Sequence, residues 1–322
     1  MIAAYYKSTG DVDVLEVGEL PTPEPRGGEV RVRIALSGIN PTDWKGRARG
    51  ELSFPFQIPH HDAAGVIDAV GAGVDPGRVG ERVWLWDAAY LRQWGTAAQF
   101  SVVPEAQAVA LPADVSFDLA VCLGIPAKTA HRAVFADGPV SGQTILVAGG
   151  AGAVGFYAIQ LARLGGARVV TTVSSDDKAA IARTARADSI LNYRQDDVPA
   201  RVAELTAGAG VERVIEVAFA ANLDLNRQVL AANGTIATYA VDEEMPAIPV
   251  RWLLPDNITL RWLLVFAVPE EAKHEAVAEL SRALADGALK PLPLLRFPLE
   301  EVRAAHRAGE QGAVGKVVLE IP

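Results

Sequence analysis

The stretch TILVAGGAGAVGFYAIQLARLGGARVVTTV, residues 144–173, decides the fold. An apolar β run, TILVAG (144–149), meets a cluster of glycines. An apolar helical segment, FYAIQLARL (156–164), follows, and a second β run, ARVVTTV (167–173), closes a βαβ unit. Gly150-Ala151-Gly152-Ala153-Val154-Gly155 fits G-x-G-x-x-G directly after the strand and opens the helix. The first glycine suits a tight turn, the second lets backbone N–H groups approach a pyrophosphate, and the third packs helix on strand. This pattern in this context predicts a dinucleotide site.

Downstream, the alternation continues through DDKAAIARTA (176–185), SILNY (189–193), VPARVAELTA (198–207), VERVIEVA (211–218), a helix near 222–231 and GTIATYA (234–240). Strands alternating with helices imply a doubly wound parallel sheet, so the fold class is α/β. Upstream, EVRVRIAL (29–36), AAGVIDAV (63–70), ERVWLW (81–86) and AAQFSVV (97–103) are short β runs broken by turns, which predicts a separate β-rich domain. Near the C-terminus, PEEAKHEAVAELSRALADG opens with Pro and acids and stops at Gly287 as a helix does. The final run KVVLEI has no place in a parallel sheet and is expected to return to the first domain. At 322 residues the chain is long enough for two cores.

With 30 Lys and Arg against 39 Asp and Glu, the net charge of -9 disfavours nucleic acid as a partner. The single cysteine, Cys122, excludes an intramolecular disulfide and every multi-cysteine zinc site. It reads as a buried packing residue and suits a reducing compartment. No apolar run is long enough to span a bilayer, and MIAAYYKSTGD is not a signal peptide, so a cytoplasmic location without membrane contact is expected.

Cofactor choice is written at the tip of the second strand, where an NAD enzyme places an acid on the ribose 2'-hydroxyl. Here the tip reads Val173-Ser174-Ser175. Lys178 stands one helical turn on and Tyr193 ends the next strand, a set suited to a 2'-phosphate and hence to NADPH. Asp176 and Asp177 read equally as acids favouring a helix N-terminus.

The runs SGINPTDWKGRARG (37–50), IPHHDAAGVIDAVGAGV (58–74), GERVW (80–84), LPADVSFDLAVCLGIPAKTAHRAV (111–134), ILVAGGAGAVGFYAIQLARLGGARVV (145–170) and ILNY (190–193) resemble the quinone oxidoreductase, or zeta-crystallin-like, branch of the medium-chain dehydrogenase/reductase superfamily, in order over nearly the whole chain. The resemblance implies a GroES-like catalytic domain at residues 1–123 and 264–322, a Rossmann nucleotide domain at 124–263, and a homodimer. Its zinc-dependent members bind catalytic zinc through Cys, His and Cys. Asn40 matches the first ligand, His61 and Asp62 match the His-acid pair, and Ile125 falls near the last, so a zinc-independent enzyme is expected.

Without a Lewis acid, the acceptor must spread the charge that arrives with hydride, as a quinone or an α,β-unsaturated carbonyl compound does. By resemblance Asn40 stands near the nicotinamide or the substrate oxygen; as residues, Asn40-Pro41 also suits a plain turn. Lys45 occupies a position where several relatives carry a suspected Tyr proton donor and is the candidate to donate a hydrogen bond or proton in its place if burial lowers its pKa, though it reads equally as a solvated lysine; Thr129 matches a position beside the cofactor ribose and phosphates. WLWDAAYLRQWGTAAQ (84–99) suits either a satellite core or the wall of an apolar pocket. Trp252 and Trp262 share that ambiguity, and His60, His131, His274 and His306 read as structural or surface residues. The resemblance also leaves open a non-enzymatic role, crystallin-like or RNA-binding, in which NADPH binding persists.

Overall fold

The computed structural model describes residues 1–49 and 52–322, and its contacts divide into two compact units, residues 1–125, 280–287 and 291–322, and residues 126–279 and 288–290. The first division lies two residues from the expected one. The second falls inside the helix Glu270–Ala285 rather than at residue 264. The physical reason is a tether: His131 Nε2 and Glu279 Oε2 lie 2.8 Å apart, holding the first turns of that helix to the nucleotide-binding unit.

That unit is built on a six-stranded, wholly parallel sheet in the order Ser189–Asn192, Arg168–Val173, Thr144–Val147, Val211–Glu216, Leu230–Thr238, Thr259–Trp262. In chain order this is 3-2-1-4-5-6, the doubly wound arrangement whose ligand crevice lies beyond the carboxyl end of the first strand. Burial on both faces explains the valine-rich runs: Val169, Val170, Thr171 and Thr172 are all buried. Leu146, Val170, Val202, Val214, Phe219 and Ile236 share one core. The last strand, Thr259–Trp262, escaped the sequence reading because its exposed and half-buried residues show no period-2 contrast.

The other unit rests on a seven-stranded sheet ordered Leu294–Pro298, Lys316–Glu320, Glu29–Gly38, Asp62–Val70, Arg82–Leu85, Ala108–Ala110, with Phe100–Pro104 also paired to Glu29–Gly38. The C-terminal strand Lys316–Glu320 does return here, antiparallel to Glu29–Gly38. That return carries Lys316 to Gly38 and so beside the helix Pro41–Ala48, which the chain enters through Asn40. No helix among the described residues is long and apolar enough to cross a membrane.

Candidate functional site

In the nucleotide-binding unit the glycine turn lies between Thr144–Val147 and the helix Ala153–Leu164. Gly149, not Gly150, takes the left-handed backbone, with φ +71°. The glycines differ in what a side chain would meet. A Cβ on Gly150 would stand 2.1 Å from Thr171 Oγ1, and one on Gly155 would stand 2.4 Å from the Gly149 carbonyl oxygen. One on Gly152 would meet only that same oxygen, at 3.3 Å. Gly150 and Gly155 are thus required by the protein itself. Gly152 borders open space at the helix start, where the N–H groups of Ala153, Val154 and Gly155 lack intrahelical acceptors. The arrangement fits a pyrophosphate.

At the tip of Arg168–Val173, Lys178 Nζ donates to Ser174 Oγ at 3.0 Å, Ser175 caps the helix Asp176–Thr184, and the Tyr193 N–H donates to the Val173 carbonyl at 3.1 Å. Ser174, Ser175, Lys178 and Tyr193 therefore come together, with the Tyr193 side chain exposed. Asp176 and Asp177 occupy the first helical turn in the solvent. Thr129 is buried in the first turn of the helix Lys128–Phe135 of the same unit.

In the sheet-rich unit, Asn40, Asp62 and Lys316 form one buried cluster. Asn40 Nδ2 donates to Asp62 Oδ2 at 2.8 Å. Lys316 Nζ donates to Asn40 Oδ1 at 2.5 Å and to Asp62 Oδ2 at 3.3 Å, and the Ile125 N–H donates to Asp62 Oδ1 at 2.8 Å. One Nδ2 hydrogen and the oxygen of the Asn40 amide are thus engaged within the protein, by a buried carboxylate and a buried ammonium. Asn40 also begins the helix Pro41–Ala48, and Asp43 Oδ2 accepts its backbone N–H at 2.6 Å, as in a capping box.

A cavity of about 210 Å³ opens beside this cluster, lined among others by Tyr6, Thr42, Asp43, Gln57, His60 and His61. Asp43 Oδ1 is buried without a hydrogen-bond partner, 3.8 Å from His61 Nε2. Burial is the main force on this carboxyl group and the charge of Asp62 adds to it, while its bonds to Asn40 and the Lys316 charge oppose; the pKa rises to about 8. Lys45 stands elsewhere. It is exposed and lines a second concavity with Trp44, Arg47 and Glu310, because two residues along a helix turn it about 200° from Asp43. Of the aromatic segment 84–99, Trp84 and Trp86 are core residues, and Ala89, Leu91 and Arg92 reach the cavity.

Behind the cavity runs a chain of buried polar groups. Arg47 Nη1 lies 2.9 Å from His306 Nδ1, His306 Nε2 lies 2.9 Å from His60 Nε2, and Ser37 Oγ lies 2.8 Å from His60 Nδ1 and 2.7 Å from Thr96 Oγ1. Guanidinium is a donor only, which sets the direction throughout. Arg47 gives to His306, His306 to His60, His60 to Ser37, Ser37 to Thr96, and Thr96 to the Asp62 carbonyl at 2.9 Å. Both imidazoles are thereby neutral. Burial drives the His306 pKa down to about 3, with help from Arg47, and drives that of His60 well below its usual value. Sequence reading treated these histidines as structural and missed Tyr6, Asp43 and Lys316. A signal existed only for Asp43, three residues after the Asn40 cap.

The positions matched to zinc ligands hold Asn40, His61 and Ile125, and an amide bound to an ammonium does not offer a divalent ion the donor set it needs. No group of three or more His, Cys, Asp or Glu among the described residues is arranged for a metal.

Residues 26–113 match the alcohol dehydrogenase GroES-like domain family, and residues 153–282 match the zinc-binding dehydrogenase family. A solved mycobacterial quinone oxidoreductase is 32% identical with a TM-score of 0.83, covering 99% of both chains. A mycobacterial structure complexed with NADPH is 30% identical with a TM-score of 0.85, again over 99% of both. A 2-haloacrylate reductase of Burkholderia sp is 29% identical over 99% of this chain and 98% of its own.

Proposed function

Because this chain belongs to the quinone oxidoreductase branch of the medium-chain dehydrogenase/reductase superfamily, we propose that it is a zinc-independent oxidoreductase that reduces a quinone or an α,β-unsaturated carbonyl compound at the expense of NADPH. Bound NADPH supplies the hydride. The residues of the chain hold and orient: Gly152 and the N–H groups of Ala153, Val154 and Gly155 receive the pyrophosphate; Ser174, Ser175, Lys178 and Tyr193 receive the 2'-phosphate; and Thr129 borders the ribose.

The observation that carries the choice of acceptor is the Asn40–Lys316–Asp62 cluster. At Asn40, the position matched to the first zinc ligand, it sets an ammonium already neutralised by a carboxylate, and this supports an acceptor that needs no strong Lewis acid. A conjugated acceptor spreads the incoming charge itself, and hydrogen-bond donors suffice. Asn40 keeps Asp62 and Lys316 in register. Lys45, on the far face of its helix, is given no part in the chemistry.

We place the enzyme in the cytoplasm as a homodimer. Support for the dimer comes from the edge strand Thr259–Trp262 and its surroundings, where Met245, Val250, Leu254, Trp262 and Leu264 are exposed. The test follows NADPH oxidation against quinones, enones, and saturated aldehydes in the presence and absence of a strong chelator. Turnover with the first two classes, undiminished by chelator, is expected; faster turnover of saturated aldehydes, or loss of activity on chelation, overturns the reading.

A further inference from the structure

We propose that Tyr6 donates the hydrogen bond that holds the carbonyl oxygen of the electron acceptor in the cavity of the sheet-rich unit, a role that rests on the acceptor class argued above. Tyr6 follows the first strand, Ile2–Tyr5, and is fixed by two backbone bonds: its N–H donates to the Gln57 carbonyl at 3.0 Å and its carbonyl accepts from the Gln57 N–H at 2.9 Å. Its ring is buried, with 6% exposure, yet it lines the 210 Å³ cavity. No hydrogen-bond partner for its hydroxyl exists among the described residues. A buried phenol normally finds a partner in the protein. Tyr6 lines the cavity, so the ligand that the cavity receives supplies the hydroxyl's partner.

Two of the other polar side chains around the cavity, Gln57 and His60, are committed elsewhere. Gln57 Nε2 donates to the carbonyls of Ile58, Arg92 and Gln93, at 2.8, 2.9 and 3.1 Å. His60 spends both ring nitrogens on Ser37 and His306. Thr42 is half-buried and Ser53 exposed. Asp43 stands near the phenol, and its carboxyl group, with a pKa raised to about 8, is uncharged at neutral pH. A developing oxyanion beside Tyr6 therefore meets no carboxylate there. Burial, reinforced by Asp43 and opposed by Arg47, pushes the phenol up to about 12. Tyr6 keeps its proton and works as a donor rather than as an acid, so the proton that completes the reduction comes from another source.

The test is Tyr6→Phe, which keeps the ring and removes the hydroxyl. The wild-type enzyme is first assayed with an enone and a quinone. In the variant, kcat is expected to fall by about a hundredfold to a thousandfold, the range for loss of one oxyanion donor. NADPH affinity and the melting temperature stay unchanged. Infrared difference spectra of a carbonyl-13C enone bound with NADP⁺ separate this role from a structural one. The wild-type carbonyl band should lie below its frequency in an aprotic solvent, and Tyr6→Phe should move it back up. An unshifted band in the wild type overturns the proposal even if the variant does not fold. Unchanged kcat and band in a folded variant do the same, as does a lowered melting temperature without a band shift. Absence of any turnover by the wild type refutes the acceptor class, and the role of Tyr6 falls with it; turnover with Tyr6→Phe as active as wild type refutes the role of Tyr6 alone.

Discussion

Lys178 and Asn40 divide the chemistry of this chain between recognition and support. The ammonium of Lys178 already bonds Ser174 at 3.0 Å, so in the 2'-phosphate site proposed above it is held in place before a ligand arrives. Charge-assisted hydrogen bonds of this kind are each worth about 1.5–3 kcal/mol. Lys178→Ala should therefore weaken NADPH about tenfold to a hundredfold and leave NADH nearly unchanged, measured by titrating cofactor fluorescence; equal losses for both cofactors would assign Lys178 to the turn instead. Asn40 has a different task. Its removal strips a partner from Asp62 and another from Lys316, both buried and charged, so Asn40→Ala should cost about 2–4 kcal/mol of folding stability along with turnover. Urea unfolding showing no loss of stability while turnover collapses would return Asn40 to direct contact with the substrate.

The glycine turn separates what a helix–strand junction needs from what its ligand needs. Gly155→Ala sets a methyl group 2.4 Å from a backbone oxygen that cannot move without breaking the turn, so the variant should be destabilised by several kcal/mol or fail to fold. Gly152→Ala meets that oxygen only at 3.3 Å and should fold with nearly native stability while losing most NADPH affinity, because the methyl group takes the pyrophosphate's space. Thermal melts with and without NADPH distinguish the two; a stable Gly152→Ala that still gains its full shift on adding cofactor would remove the phosphate from this turn. The turn was legible in the sequence because its strand, glycines and helix are contiguous. The edge strands Thr259–Trp262 and Leu294–Pro298 were not, since neither alternates in burial. Nor was the cluster at Asn40, whose ammonium comes from Lys316 through a strand pairing made 276 residues along the chain. The Asn40-Pro41 cap gave the place of the site; only the folded chain supplies its charges.

The balance of buried ionisable groups in the sheet-rich unit sets the pH at which the protein is most stable. His60 and His306 are neutral in the fold, with pKa values well below the usual one and about 3, whereas unfolded histidine titrates near 6.5. Their contribution is present above pH 6.5 and is lost as pH falls toward the folded values, because the unfolded chain binds protons that the fold refuses. Asp43 acts in the opposite sense. Its pKa is raised to about 8, so its contribution is complete below the unfolded value of 3.8 and is lost as pH rises through 8. Below pH 6.5 the two histidine protons outweigh one carboxyl proton, and stability climbs with pH; between 6.5 and 8 Asp43 counts alone, and stability declines. The three groups therefore place a maximum near pH 6.5. Asp43→Asn should flatten the alkaline limb and leave the acid limb in place, provided that the new amide oxygen still accepts the Asn40 N–H. Urea unfolding at half-unit steps from pH 4.5 to 8.5 measures both limbs. A stability that rises steadily through pH 8 in the wild type would mean that Asp43 is ionised in the fold, and a carboxylate would then stand beside Tyr6.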